Sequence, residues 1–321
     1  MLLKLVPDQT NIQFTHMRFV ALALSAFLVV GSLVAVFTIG LNFGVDFRGG
    51  VTIEVADDEP IDLGAVRETV SGLGLGSVDV QEIQDFAGSD EAVLIRISQQ
   101  EADESEDGAN DETAQQQASA AVQEAMRALL GDGVEFRKIE VVGPTVSGEL
   151  IQKGALAVAL AIGMMLIYIW LRFEWQFSLG AIIALVHDVI ITLGMFAVTR
   201  LEFNLAIIAA ILTIVGYSMN DTVVVYDRVR ENLRKFKQKP LADLLDLSIN
   251  ETLSRTIMTS GTTMLALLAL VIVGGEVLRG FTLAMIWGVV IGTYSSVFVA
   301  SPFLLATDVK RDWSKVAPTG A

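Results

Sequence analysis

The sequence predicts an α-helical membrane protein in which six transmembrane helices carry an α+β, ferredoxin-like domain inserted between the first and the second. Three observations support this fold class. Apolar residues make up 53% of the 321 residues and the mean hydropathy is +0.57, which is too apolar for an ordinary soluble domain. The apolar residues concentrate in six separate stretches, and the long segment between the first two stretches is strongly acidic.

Each apolar stretch reaches the roughly 17 to 25 residues that a tilted helix needs to cross a bilayer. The predicted transmembrane helices are, in order, 19–41, 154–171, 177–198, 205–225, 257–273 and 281–305. The first is longer than the apolar core of a cleavable signal and no small-x-small site follows it, so it is predicted to remain as an anchor. The other segments outside the acidic domain are an N-terminus 1–18, a basic loop 226–256 and a tail 306–321.

Segment 42–150 holds 24 acidic residues against 6 basic ones, an excess larger than the net charge of −15 of the whole chain. The acidity therefore belongs to one water-exposed domain, and the rest of the chain is slightly positive. So acidic a domain argues against nucleic acid as a partner. The chain has no cysteine, so no disulfide supports this domain.

Periodicity within the acidic domain predicts the order strand, helix, strand, strand, helix, strand, which is that of a ferredoxin-like unit. The predicted strands are 51–55, 78–83, 92–97 and 136–142, and the predicted helices are 62–71 and 116–130. The segment 99–112 is acidic and lacks apolar periodicity, so it is predicted to be a solvated linker.

Lysine and arginine concentrate in the N-terminus, the loop 226–256 and the tail, which six spans bring to one side of the membrane. Because basic residues favour the cytoplasmic side, both termini are predicted to be cytoplasmic and the acidic domain periplasmic. Apolar residues recur at helical spacing in 240–254. That pattern fits either an amphipathic helix on the cytoplasmic face or an extension of the fifth span.

The sequence lacks the motifs that several kinds of catalytic or binding site require. The sequence has no G-x-x-x-x-G-K-[ST] run, no H-E-x-x-H, two histidines and no cysteine. It therefore predicts neither a nucleotide-binding P-loop nor a zinc site. We expect a protein that is not an enzyme and needs no cofactor, with a proton as the coupling ion.

Asp221 lies within the fourth predicted span, where an ionisable side chain is costly and marks an ion or proton route. It precedes Asp227 by six residues, which predicts a depth of about 9 Å below the cytoplasmic boundary. Arg255 opens the next, antiparallel span at a similar depth. The two side chains are predicted to form an ion pair that protonation of Asp221 would release.

Several residues around Asp221 are small or polar, so this turn of the helix is polar and has little side-chain bulk. Asn220 and Thr222 are predicted to belong to the same proton pathway, and Gly216 is predicted to allow close helix packing. An alternative is that the charged side chains only extend to the cytoplasmic interface. The short side chain of aspartate argues against that alternative.

His187 and Asp188 lie about ten residues into the third span, near the membrane midplane. A histidine beside an aspartate suits a proton relay, because its ordinary pKa is near 6.5. An equally good interpretation is that the two residues only tie the third span to its neighbours. Because adjacent residues point about 100° apart on a helix, they need not act on the same partner.

Gly288 and Gly292 form a G-x-x-x-G pattern in the last span. Such a pair lets two helices approach closely. The pattern is compatible with packing inside the bundle and with packing against another subunit.

Four segments together carry a resemblance to a known family. They are GVDFRGG at 44–50, HD at 187–188, GYSMNDTVVVYDRVREN at 216–232 and SRTIMTS at 254–260. With these motifs in this span order, nearly the whole chain resembles the SecF family of protein-export membrane subunits, in the RND superfamily. The acidic segment 99–112 matches no motif of that family.

The resemblance implies a partner and a task. Family members pair with SecD in the bacterial inner membrane and work beside the SecYEG channel, with YajC as an associate. They use the proton gradient to draw a translocating preprotein outward, and membrane lipid surrounds them. Asp221 and Arg255 match the embedded aspartate and arginine that the family uses in proton conduction, although sodium remains an alternative ion.

Asp46 and Arg48 lie where the first span enters the acidic domain, and we expect them to be a hinge or a coupling element. Gly49 and Gly50 follow them and are predicted to belong to the same hinge or coupling element. An alternative for segment 44–50 is a tight turn at the membrane exit that needs glycine, and both interpretations can be true. An alternative function is a non-conducting binding and assembly subunit, whose polar residues in the membrane only lock helices together.

Overall fold

The computed structural model describes residues 10–57, 60–84, 91–98, 108–131, 133–273, 275–307 and 309. In chain order the helices are α1 (Arg18–Thr38), α2 (Val45–Arg48), α3 (Leu63–Gly72), α4 (Gly108–Leu130), α5 (Pro144–Arg172), α6 (Trp175–Thr199), α7 (Leu205–Lys235), α8 (Leu241–Val273), α9 (Gly275–Ser295) and α10 (Ser301–Ala306). The strands are β1 (Asn42–Phe43), β2 (Gly50–Ala56), β3 (Val78–Gln84), β4 (Glu91–Ile97), β5 (Glu135–Val142) and β6 (Glu202–Phe203).

Six helices among the described residues are long and apolar enough to cross a membrane, which confirms the predicted fold class. They are α1, which continues a 3₁₀ turn at Phe14–Met17, then α5, α6, α7 and α8, and finally a sixth span. The sixth span consists of α9, one π-helical turn at Ser296–Ala300, called the π turn below, and α10.

The inserted domain has the predicted ferredoxin-like topology. Its four strands are all antiparallel and lie in the order β3-β4-β2-β5. Helices α3 and α4 cover one face, where Ile53 and Val55 of β2 pack with Val122 and Met126 of α4. The Asp62 carboxylate begins α3 by accepting a hydrogen bond from the Gly64 amide at 2.8 Å, the usual capping role of aspartate.

The predicted linker 99–112 needs one correction. Residues 108–112 already belong to α4, so the helix begins eight residues before its predicted start at 116. Small and polar residues there can continue a helix without an apolar stripe, and apolar periodicity therefore misses them. The rest of the predicted linker, 99–107, lies outside the described residues.

A second, two-stranded sheet joins the domain to the bundle. β1, just after the first span, pairs in parallel with β6 in the connection between α6 and α7. Arg96 of β4 also forms an ion pair with Glu202 of β6 at 2.9 Å. The helix-free face of the large sheet therefore lies against the ends of the membrane helices.

The helices on either side of the basic loop are longer than predicted. α7 continues to Lys235 and α8 begins at Leu241, so the loop 226–256 reduces to residues 236–240. The apolar residues of 240–254 form the first part of α8, which corresponds to the predicted extension of the fifth span rather than a separate helix. They stay helical because Leu244, Leu245 and Ile249 are buried in the bundle core, beside Leu233 of α7.

The glycines at 288 and 292 bring the sixth span against α7, inside the bundle. A Cβ on Gly288 would lie 2.2 Å from Ile214, and one on Gly292 would lie 2.9 Å from Ser218. Gly216 does not have the predicted packing role among the described residues of this chain, because a Cβ there would have no atom within 4 Å. The reason is rotational: Gly216 lies two residues from both Ile214 and Ser218, about 200° around the helix from each.

Candidate functional site

Asp221 is buried near the middle of α7, with 9% of its surface exposed. Its carboxylate accepts a hydrogen bond from the Thr256 hydroxyl of α8 at 2.6 Å and one from the Ser296 hydroxyl of the π turn at 2.5 Å. Three spans therefore meet at this side chain. At 1.5 Å per residue it lies roughly 24 Å along the axis from Leu205, where α7 begins.

The predicted ion pair between Asp221 and Arg255 is wrong for this chain. Arg255 is exposed on α8, and no ion pair joins it to Asp221 among the described residues. Thr256 takes the predicted place. Consecutive residues are turned about 100° apart on a helix, so only one of the two can face α7, and the buried one is threonine.

The neighbours of Asp221 on α7 divide between the two sides of the helix. Thr222 is buried beside Asp221, whereas Asn220 is exposed. Asn220 does not share the buried position of Asp221 and Thr222, and its predicted place in the proton pathway stays a prediction. Asn220 shares its helix face with Gly216, four residues earlier, where an added Cβ would also have open space within 4 Å.

His187 and Asp188 form a second buried site, on α6. The Nδ1 atom of His187 lies 2.8 Å from Oδ1 of Asp188. Oδ2 of Asp188 accepts hydrogen bonds from the hydroxyls of Ser218 on α7, at 2.5 Å, and Ser295 on α9, at 2.7 Å. The two residues thus do contact each other, although adjacent residues need not do so.

Four hydroxyl residues that hold the two carboxylates were not predicted as site residues: Ser218, Thr256, Ser295 and Ser296. Serine and threonine are common in membrane helices, where they also bond to their own backbone. The consecutive serines at 295 and 296 within an apolar span were a signal in the sequence. The direction in which these two serine side chains point, however, depends on how the sixth span is rotated against the neighbouring helices.

The segment around Asp46 connects the domain to α7. The Asp46 carboxylate accepts a hydrogen bond from the Leu205 amide at 2.9 Å, so it satisfies one of the free amides at the start of α7. Gly49 and Gly50 have φ angles of 68° and 113°, which side chains disfavour. Arg48 is exposed and lines a cleft beside the sheet.

The fold and this site define a class: a multi-span membrane protein with ionisable groups inside its bundle and a domain outside the membrane. Two family models match the sequence, "Protein export membrane protein SecD/SecF, C-terminal" over 121–310 and "SecD/SecF GG Motif" over 34–56. The protein translocase subunit SecF of Cereibacter sphaeroides is 48% identical, covering 98% of this chain and 94% of its own. The chain belongs to the SecF family of protein translocase subunits.

Other relatives agree. The SecF subunit of Rhodobacter capsulatus is 45% identical, covering 99% of this chain and 95% of its own. The crystal structure of SecDF from Thermus thermophilus, a translocon-associated membrane protein, superposes with a TM-score of 0.79 at 33% identity. That match covers 95% of this chain and 40% of the SecDF chain, so this chain spans two fifths of the length of its structural relative.

Proposed function

We propose that this chain works with a SecD partner in the bacterial inner membrane and uses the proton gradient to promote preprotein export. In this proposal both termini are cytoplasmic and the ferredoxin-like domain is periplasmic, as the distribution of basic residues favours. SecYEG, YajC and the translocating preprotein are the further partners that membership of the family suggests. A proton moving through 100 mV releases about 2.3 kcal/mol, enough to bias a conformational equilibrium.

The observation that carries the proposal is the environment of Asp221. Its two hydrogen-bond donors, Thr256 and Ser296, are neutral hydroxyls, and the side chain is buried. A buried carboxylate without a cation is costly in its charged form. Binding a proton makes the carboxyl group neutral and removes that cost. The protonated and the ionised forms make different hydrogen bonds to α8 and the π turn, so the contacts among three spans change with protonation.

The same helix offers a route from Asp221 to the outer domain. α7 begins at Leu205, whose amide donates to Asp46 at the domain entrance. Glu202, three residues before that start, pairs with Arg96 of the sheet. A shift of α7 on protonation would therefore pull on the domain through two polar contacts.

The exposed position of Arg255 supports a contact between this chain and a partner protein in the membrane. Arg255 is exposed on α8 among exposed apolar side chains that include Met258 and Leu265. An exposed arginine beside a lipid-facing surface is costly. An acidic or polar group on a SecD helix would lower that cost, so we propose that this face of α8 contacts SecD.

One observation favours the alternative function. Asp221 and Asp188 each bond to hydroxyls from other spans, which would also lock helices in a subunit that conducts nothing. A lock needs only a hydrogen-bond acceptor, whereas a proton site needs a titratable group.

Asp221→Asn separates the two functions, because asparagine has the same shape and still accepts a hydrogen bond. We expect inverted vesicles that carry the variant with SecD to lose the gradient-dependent part of preprotein translocation. The amount of protein and its co-purification with SecD should stay normal. Sodium-free buffers, used throughout, test whether the ion is a proton.

Asp243→Asn is the matched control, since it removes the same charge from an exposed position in the first turn of α8. It should leave translocation unchanged. Full gradient dependence in Asp221→Asn vesicles would refute the proton site. Loss of co-purification or of protein would favour the helix lock.

A further inference from the structure

Buried hydroxyls hold both carboxylates of the bundle, and some of those hydroxyls lie close together along the chain. Asp188 accepts from Ser218 and Ser295, and Asp221 accepts from Ser296. Ser295 and Ser296 are consecutive residues of the sixth span. Ser218 lies one turn before Asp221 on the same face of α7. On α7, a residue that holds Asp188 thus lies one turn from Asp221, and on the sixth span the donors to the two carboxylates are adjacent.

Ser295 and Ser296 lie at the point where the sixth span departs from regular α-helical geometry. α9 ends at Ser295 and the π turn begins at Ser296. Single π-helical turns are rare in proteins, but those that occur are often found at functional sites. Two side chains support this one: the Tyr226 hydroxyl donates to the Ala300 carbonyl at 3.0 Å, and the Ser301 hydroxyl donates to the Ser296 carbonyl at 3.1 Å.

Each serine has two acceptors within reach of its single hydroxyl proton. Ser295 can donate to Asp188 or to the Gly292 carbonyl at 3.2 Å. Ser296 can donate to Asp221 or to the Thr293 carbonyl at 3.0 Å. An ionised carboxylate attracts the hydroxyl proton. A protonated carboxyl group can itself donate, which leaves the serine free to turn to its own helix.

We propose that Asp188 and Asp221 are one coupled pair of proton-binding groups, and that Ser295 and Ser296 are positioning residues that make the protonation of each depend on the other. The inference rests on the proposed function and deepens it. When one carboxylate takes up a proton, its serine turns to the backbone. The adjacent serine, at the start of the π turn, then holds the other carboxylate in a changed geometry.

The groups that face the pair fit this role. His187 contacts Asp188 through Nδ1, and its buried Nε2 has no hydrogen-bond partner among the described residues. Tyr294 stacks on the His187 ring at 6.2 Å and bonds through its hydroxyl to Ser25 on α1. From α8 the pair accepts a hydrogen bond from the neutral hydroxyl of Thr256, whereas Arg255 is exposed.

The test is the pH profile of gradient-driven translocation in inverted vesicles that contain the full chain and SecD. Ser295→Ala removes a donor to Asp188 and leaves the contacts of Asp221 untouched. Because a hydrogen bond to a charged group favours the charged form, we expect the midpoint of the profile to move up by about one pH unit. Ser295→Thr keeps the hydroxyl and should restore the original midpoint.

The matched control is Thr282→Ala, a buried hydroxyl of the same span that donates to the Leu278 carbonyl. It should leave the midpoint unchanged. If Ser295→Ala lowers the amount of protein in the membrane, Asp188→Asn carries the test instead, because it keeps the shape of the side chain. We expect it to shift the midpoint as well.

The outcomes distinguish this inference from the proposed function. If Asp221→Asn keeps gradient-dependent translocation, the proposed function fails and the coupling fails with it. If Asp221→Asn abolishes translocation but Ser295→Ala and Asp188→Asn keep the original midpoint, the proposed function stands and the coupling is wrong. A shift in both variants, with rescue by Ser295→Thr, supports the coupling.

Discussion

The six membrane helices divide into two groups that differ in burial. In the most apolar part of α6, α7 and the sixth span, 56%, 50% and 61% of the residues are buried by the protein itself. The corresponding shares for α1, α5 and α8 are 17%, 6% and 11%. The first three helices therefore form the inside of the bundle, and the other three present their apolar residues to lipid or to a partner.

The inner helices also carry the polar site. His187, Asp188 and Asp221 lie on α6 and α7, and three of the four serine and threonine residues that bind them lie on α7 and the sixth span. Mean hydropathy overlaps between the two groups, so it does not separate them. The contrast teaches that burial by protein, rather than apolarity, decides where charge can be kept within a membrane.

Among the variants that test this contrast, Gly288→Leu on the sixth span should have the largest effect. The new side chain would begin within 2.2 to 2.6 Å of three atoms of Ile214. Overpacking a well-packed core costs about 1–3 kcal/mol, and a leucine here has no open direction toward α7. We expect most of the protein to be lost from the monodisperse fraction extracted from membranes.

Gly163→Leu on α5 is the matched control, because a Cβ there would have no atom within 4 Å. Its yield should equal that of the unchanged chain. Equal losses in both variants would mean that the inner and outer helices do not differ in packing.

A smaller effect is expected where the inner helices meet the outer domain. Glu202→Gln removes the charge that pairs with Arg96 at 2.9 Å, in a contact whose side chains are 17% and 18% exposed. We expect a loss of about 1 kcal/mol, near the upper end for such pairs, and a decrease in Tm of roughly 2–4 °C. Thermal unfolding in detergent measures it. An unchanged Tm would show that this ion pair does not help to hold the sheet against the membrane helices.

The smallest effect should come from an outer helix. Lys153 and Glu149 form an ion pair one turn apart on α5, with side chains 75% and 60% exposed. Glu149→Gln should leave Tm unchanged, because water and salt screen such a pair. A decrease comparable to that of Glu202→Gln would contradict the distinction between the two groups.

Much of the fold followed from the sequence. The six spans and the strand and helix order of the domain depend on length and on local periodicity, which each segment carries itself. The bounds were less accurate at the basic loop, because α7 and α8 continue beyond the apolar residues that predicted them. There, burial of Leu244 and Ile249 extends a helix that hydropathy alone would have ended.

The site divides in the same way. The sequence alone determined that Asp188 and Asp221 are ionisable groups inside apolar helices, since that depends only on residue type and position along the chain. Only the tertiary structure decided that Thr256 rather than Arg255 faces Asp221, that Asn220 points outwards and that Ser295 and Ser296 reach two carboxylates. The physical reason is rotation: each residue turns a helix by about 100°, and the packing of neighbouring spans fixes which side faces inwards.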